Sequence, residues 1–316
     1  MEGEHALTLL LMELKQIFKN EHHELRPGWQ LLLFILAWAI ATAAAVAPFI
    51  LLKRTDVFSL SAATLVGALA ATYAVTRLIN RKPIGAVGLT INSHTMRQLG
   101  IGCLAGFLMM TGIFGFEYLL GYVTVVAPEI SYPQAFQTFG IAIVFFVVGA
   151  LSEEVLFRGY PFQTLVRGVG FVPAVIIGGI LFGVAHLGNP NANAFAVINI
   201  VLVSVLFSLA YWRTRSLWLP FGIHFAWNFA QTTLYGFPTS GVHFTHHELT
   251  RLTQFGPEWL TGGPFGPEAG AFATLMILLC GMYVYFSEAL RPAPNQATLE
   301  RDDEHLTAQI FERKAA

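Results

Sequence analysis

Long apolar runs alternate with short polar connections along most of the chain. Near-continuous hydrophobic stretches fall at 30–52, 57–77, 98–126, 138–166, 171–187, 195–212, 217–235 and 269–290. A helix crossing the hydrocarbon core of a bilayer needs about 20 such residues. The stretch Gly168–Trp212 holds no Asp, Glu, Lys or Arg. It is too long for one span, and the turn residues GNPNAN at 188–193 divide it. The pattern predicts an all-α, polytopic transmembrane helical bundle of about eight spans. The Gly-, Pro- and Thr-rich segment 236–268 is the one sizeable loop expected, and no internal repeat is visible.

The flanks read differently. Over residues 1–29, Leu7, Leu10, Leu11, Leu14, Ile17 and Phe18 recur at helical spacing, which predicts an N-terminal amphipathic helix on the membrane surface. A solvated helix with a weak stripe is the alternative. Glu2, Glu4, Glu13, Glu21 and Glu24 argue against a signal peptide, whose start is basic. Residues 30–290 form the membrane domain, with 138–235 as its chemical core. Residues 291–316 are a polar tail outside the lipid.

Composition sharpens this picture. Of 316 residues, 55% are hydrophobic and 12% charged, against roughly 25% charged in soluble domains. That excludes a soluble globular enzyme and a disordered chain. A net charge of −1 gives no field that would draw nucleic acid. Cys103 and Cys280 both sit in apolar runs, so a disulfide framework or cysteine metal site is not expected. Lys and Arg number 15 in one set of alternate connections and termini and 3 in the other. The positive-inside rule then places both termini in the cytoplasm. The compact layout suits a multi-pass protein of a bacterial inner membrane.

Ionisable groups inside a bilayer are costly, so each needs a reason. They cluster here in three spans: Glu153, Glu154 and Arg158; His186, four residues after Phe182; and His224 with Asn228. Glu154 and Arg158 share a helix face at i, i+4 and can pair. Glu153 is turned by about 100° from Glu154 and is free to face elsewhere. His224 and Asn228 share a face in the same way. If spans four and five turn near Gly168–Gly170, Glu153 and His186 reach nearly equal depth. His224 fits that depth less well, unless a helix tilts or breaks or the hairpin projects into the cytoplasm. Singly, each group reads as a clamp, a packing histidine or interhelical glue. Together they suit water activation by a buried carboxylate beside an imidazole. A histidine–asparagine pair can supply donors for an oxyanion. His and Glu are also ordinary zinc ligands. Glu117 stands alone and is read as structural.

The ordered motifs E-E-x-x-x-R (Glu153, Glu154, Arg158), F-x-x-x-H (Phe182, His186) and H-x-x-x-N (His224, Asn228) resemble those of the CAAX-protease and bacteriocin-processing (CPBP, or Abi) family of intramembrane proteases. The segment RKPIGAVGL at 81–89 resembles a recurrent entry segment of the family. The resemblance covers about 80–235 and includes the Ras-converting type of prenyl-protein endopeptidase. It implies an endopeptidase in which Glu153 and His186 activate water, His224 and Asn228 stabilise the oxyanion, and Glu154 and Arg158, with Phe182, support the site. It implies either a divalent metal, zinc in the first place, on Glu153, His186 and His224, or a metal-free glutamate–histidine mechanism. The implied substrate is a membrane-associated protein or peptide, prenylated in the eukaryotic members. The competing reading is a transporter, immunity protein or non-catalytic scaffold with a buried polar cluster. No H-E-x-x-H, G-x-S-G or G-x-G-D signature is present.

Overall fold

The computed structural model describes residues 17–20, 24–126, 130–244, 249–292 and 299. Most of the amphipathic segment expected at 1–29 and nearly all of the tail at 291–316 therefore lie outside the described residues. Nine helices of ten residues or more build the described chain: α1 (Pro27–Leu51), α2 (Val57–Ala74, prolonged by a π turn Val75–Ile79), α3 (Ser93–Leu119), α4 (Tyr132–Arg158), α5 (Tyr160–Val169), α6 (Phe171–Ala185), α7 (Ala194–Thr214), α8 (Trp218–Phe229, prolonged by a π turn Ala230–Leu234) and α9 (Ala271–Phe286). The helical bundle is the expected class. Each apolar stretch is helical, but five segments are long and apolar enough to cross a bilayer, so length alone does not give eight spans. Helices α6 and α9 are apolar but shorter. An outer belt of exposed aliphatics, such as Ile40, Leu104, Ile176 and Leu278, is the surface a bilayer would cover. The chain is an integral membrane protein.

Three local departures from the expected elements have plain causes. The stretch 138–166 is not one helix. It breaks at Gly159, where an added Cβ would lie 2.3 Å from the Val155 carbonyl. Pro161, with no N–H to give the preceding turn, then sits in the first turn of α5. Span three ends at Leu119, and Val123–Val126 forms strand β1 instead. The loop 236–268 contributes β2 (Arg251–Gln254), antiparallel to β1 with Val123 opposite Gln254. Glu117, fully buried near the end of α3, accepts a 2.8 Å hydrogen bond from Gln254 Nε2 and so fastens this strand pair to the bundle.

Hydrogen bonds between loops define the two ends of the bundle. At one end, Leu217 N–H donates to the Gly88 carbonyl, Trp218 Nε1 to Thr90 O, and Arg213 to Ser287 O. At the other end, the β1–β2 pair and the bond from Gly241 N–H to Phe265 O gather the loops after α3 and α8. Asp56, Asn92 and Asn193 cap α2, α3 and α7 by accepting from backbone N–H groups two or three residues into each helix.

The densest contact joins α3 to α8. Gly102 and Gly106 are four apart on α3, and a Cβ at either would fall 2.4 or 2.2 Å from the Leu219 or Ile223 carbonyl. Gly222 answers from α8, 2.6 Å from the Leu99 carbonyl. Small residues four apart let helix backbones touch. This seam fixes the helix that carries His224. Around it, Met110, Ile113, Leu206, Ile223 and Ile277 form the main apolar core.

Candidate active site

Adjacent residues on a helix diverge by about 100°, and the last turns of α4 use this to send two carboxylates in different directions. Glu154 turns into the bundle and is fully buried. Glu153 keeps 35% of its side chain exposed and faces a cavity. One turn on, Arg158 Nη1 donates to Glu154 Oε1 at 3.2 Å and Nη2 to Ser204 Oγ at 2.6 Å. Its guanidinium carbon lies 4.4 Å from the centre of the Phe182 ring and 5.1 Å from that of Phe207. The cation is thus held by one carboxylate, one hydroxyl and two aromatic faces.

His224 enters from α8. Its Nδ1 lies 2.9 Å from Glu154 Oε1, and its ring stacks on Phe207 at 5.1 Å. An ionised carboxylate only accepts, so Nδ1 carries the hydrogen. The other nitrogen, Nε2, then points at Glu153 Oε2 across 3.8 Å. That gap exceeds a hydrogen bond, yet one water can reach both atoms at about 2.8 Å. Arg158, Glu154, His224 and Glu153 thus form one chain of charge from the interior to the cavity. This chain also explains the depth problem. The helix bearing Glu153 ends at Gly159, six residues later, and His224 stands six residues into α8. Counted from these ends, the two groups are level.

His186 follows the last turn of α6. Its Nδ1 donates to the Phe182 carbonyl at 2.8 Å, since a carbonyl only accepts, and Nε2 is left for the cavity. Asn228 lies one turn beyond His224 and lines the same space. The cavity, about 420 Å³, therefore gathers Glu153, His186, His224 and Asn228. Phe182 lies between Arg158 and His186, its ring centre 4.7 Å from the imidazole. Phe145, Phe146, Phe157 and Phe244 supply apolar wall. A larger open depression at the other end of the bundle, near Lys19, Arg81 and Arg167, contains none of these groups.

The expected metal set does not assemble in full. Among the described residues, no three His, Cys, Asp or Glu side chains converge to hold an ion. Glu153 and His224 face one another, but His186 does not complete a three-ligand group with them. The His224–Glu154 bond is the orienting contact a metal-bound histidine would need.

Several polar residues of the cavity carried no motif. Glu268 precedes α9. Its Oε2 accepts from Gln231 Nε2 at 2.6 Å, and its Oε1 from Ser240 N–H at 3.1 Å and Ser240 Oγ at 3.3 Å. Burial pushes the Glu268 carboxyl up to about 7, against the opposing pull of those donors. Asn199 donates to the Glu268 and Gly270 carbonyls at 2.8 and 3.0 Å and ties this turn to α7. The signal for Asn199 was present: the one amide in the apolar span 195–212. Glu268, in a Gly- and Pro-rich loop, offered none.

The fold and site define a helical membrane protein with a carboxylate–imidazole cluster at a cavity inside the bundle. Residues 135–230, which hold that whole cluster, match the family model described as "Type II CAAX prenyl endopeptidase Rce1-like". The match covers the third of the chain that carries the cluster, and it agrees with the resemblance of the motifs to the CAAX-protease and bacteriocin-processing family. It is 26% identical over 167 residues to "Uncharacterized protein YyaK" of Bacillus subtilis, covering 51% of this chain and 55% of that protein. It is 28% identical over 86 residues to "Putative membrane peptidase YdiL" of the same organism, covering 27% of this chain and 33% of that protein. The matches thus span about half of one relative and a third of the other. No solved structure matches the chain significantly.

Proposed function

We propose that this protein is an intramembrane endopeptidase that hydrolyses a peptide bond of a membrane-associated protein or peptide. The observation that carries the reading is the pairing of Glu153 Oε2 with His224 Nε2 across 3.8 Å, in a cavity shared with His186 and Asn228. The family match and the name of the shorter-matching relative support the same class. In this reading Glu153 takes a proton from a water that His186 Nε2 helps to orient, and the hydroxide attacks the scissile carbonyl carbon. Asn228 Nδ2 donates to the resulting oxyanion. His224 Nε2 offers a second hydrogen when its ring is imidazolium, a charge that Glu154 is placed to balance. Breakdown returns the Glu153 proton to the leaving amine. Arg158 and Ser204 position Glu154.

The deciding experiment is Glu153→Gln in purified protein with a membrane-anchored reporter peptide. The amide keeps the shape and cannot take the proton. Cleavage is expected to fall by roughly 10²–10⁴-fold, the usual contribution of a general base, with insertion and folding unchanged. Cleavage at the wild-type rate would remove Glu153 from the base role.

A further inference from the structure

The two ends of the cavity differ in kind. Toward the end of the bundle that carries the α5–α6 turn, it is sealed by Glu154, Arg158, Ser204 and Phe207, none more than 3% exposed. Toward the other end, Asn189, Ser240, Val242 and Phe244 are partly open, and Val57, at the start of α2, is 53% exposed. These rim residues belong to or adjoin the connections after α1, α6 and α8. Lys53, Arg54 and Arg251 are the basic residues described there. The sealed end instead carries Arg77, Arg81, Lys82, Arg97, Arg167, Arg213, Arg215 and Arg291. Basic connections are retained in the cytoplasm.

We infer that the cavity opens to the non-cytoplasmic side of the membrane, and that its substrate is a membrane-anchored peptide segment presented from that side. The substrate half rests on the endopeptidase reading; the direction of opening does not. A segment arriving from that side meets Phe145, Phe146 and Phe244 first. Phe244 packs edge-on against both of the others, at 4.9 and 5.9 Å. Glu153 and His224 lie below. These aromatics suit an apolar side chain next to the scissile bond. A lipidated tail held at the cytoplasmic leaflet would instead meet the sealed floor of Arg158 and Phe207.

The test has two independent arms, both on the full chain in bacterial membranes. In the first, Ser240→Cys and Ser61→Cys line the mouth and Ser93→Cys marks the basic end, with the parent chain and its Cys103 and Cys280 as background. A membrane-impermeant maleimide should label the first two in spheroplasts and Ser93→Cys in inverted vesicles. Val242→Cys replaces any mouth variant that fails to accumulate. Mouth cysteines labelled in inverted vesicles alone would overturn the inference. In the second arm, single-span reporters carry the same cleavable segment on one side of the membrane or the other. The outward reporter should be cut at least about tenfold faster, a barrier difference of about 1.4 kcal/mol. Preference for the inward reporter would overturn the inference. Outward labelling with neither reporter cut would leave the direction of opening standing and bring down the substrate half with the endopeptidase reading.

Discussion

Two carboxylates border the cavity, Glu154 fully and Glu268 partly buried, and they are held in opposite ways. Glu154, in the floor, is gripped by Arg158 from its own helix and by His224 from α8, two groups that can carry positive charge. Glu268, in the roof, is gripped by the neutral amide of Gln231 and by Ser240, from a loop and a π turn. A buried carboxylate that loses its cation is left uncompensated, which is expensive, and Glu268 has no cation to lose. The floor is therefore rigid and intolerant. The roof is a set of ordinary hydrogen bonds that can be remade. That division suits a site whose chemistry must stay still while its mouth admits a chain.

The comparison breaks hardest at Arg158. Arg158→Ala leaves Glu154 buried without its cation, at a cost of about 3–5 kcal/mol. A large drop in thermal midpoint together with loss of cleavage is the expected result in detergent-solubilised protein. A variant as stable as wild type would show that His224 and solvent suffice to hold Glu154.

His224→Ala should be milder on folding and severe on rate. Loss of one oxyanion donor slows turnover by roughly 10²–10³-fold. The same preparations address metal. With two converging donors rather than three, a strong chelator is expected to leave wild-type cleavage in place, and elemental analysis should find well under one divalent ion per chain. Activity lost to the chelator and restored by zinc would bring His186 into a ligand set with Glu153 and His224.

The roof should yield smaller effects. Gln231→Leu removes one donor from Glu268, a change of about 1–3 kcal/mol. It should raise KM more than it lowers kcat, because Gln231 holds Glu268 at the mouth and does not touch the reacting groups. Equal losses in both would place Glu268 nearer the chemistry.

The smallest expected effect is in pH dependence. Burial raises the Glu268 carboxyl to about 7 from its ordinary 4.5. Between those values the folded state binds the extra proton, so this group makes stability fall as pH rises from about 4.5 to 7. Glu268→Gln should flatten that part of the wild-type profile of thermal midpoint against pH. An unchanged slope would assign it to another group.

The same contrast explains what could be read from sequence. Floor residues are helical neighbours: Glu154 and Arg158, Phe182 and His186, His224 and Asn228 all stand at i, i+4, where spacing alone implies a shared face. Equal depth from the turn near Gly168–Gly170 implied that Glu153 and His186 meet. The count went astray for His224 because Gly159 and Pro161 were read through as one span. The roof pairs Gln231 with Glu268 and Asn199 with Gly270. Those partners lie 37 and 71 residues apart, and each pair joins a helical residue to a loop with no periodicity. The β1–β2 pair was hidden for a like reason. Its strands are four residues each, and VTVV reads as the end of an apolar span.

The glycine seam between α3 and α8 bears on the membrane itself. Bilayers differ in thickness, and helices answer a mismatch by tilting. Backbones in direct contact at Gly102, Gly106 and Gly222 leave α8 no side-chain cushion on which to roll. Helix α1, by contrast, buries just Gln30 and Phe34. A thinner or thicker bilayer would therefore be absorbed by α1 at the periphery, while the height of His224 above Glu154 stays set by the backbone.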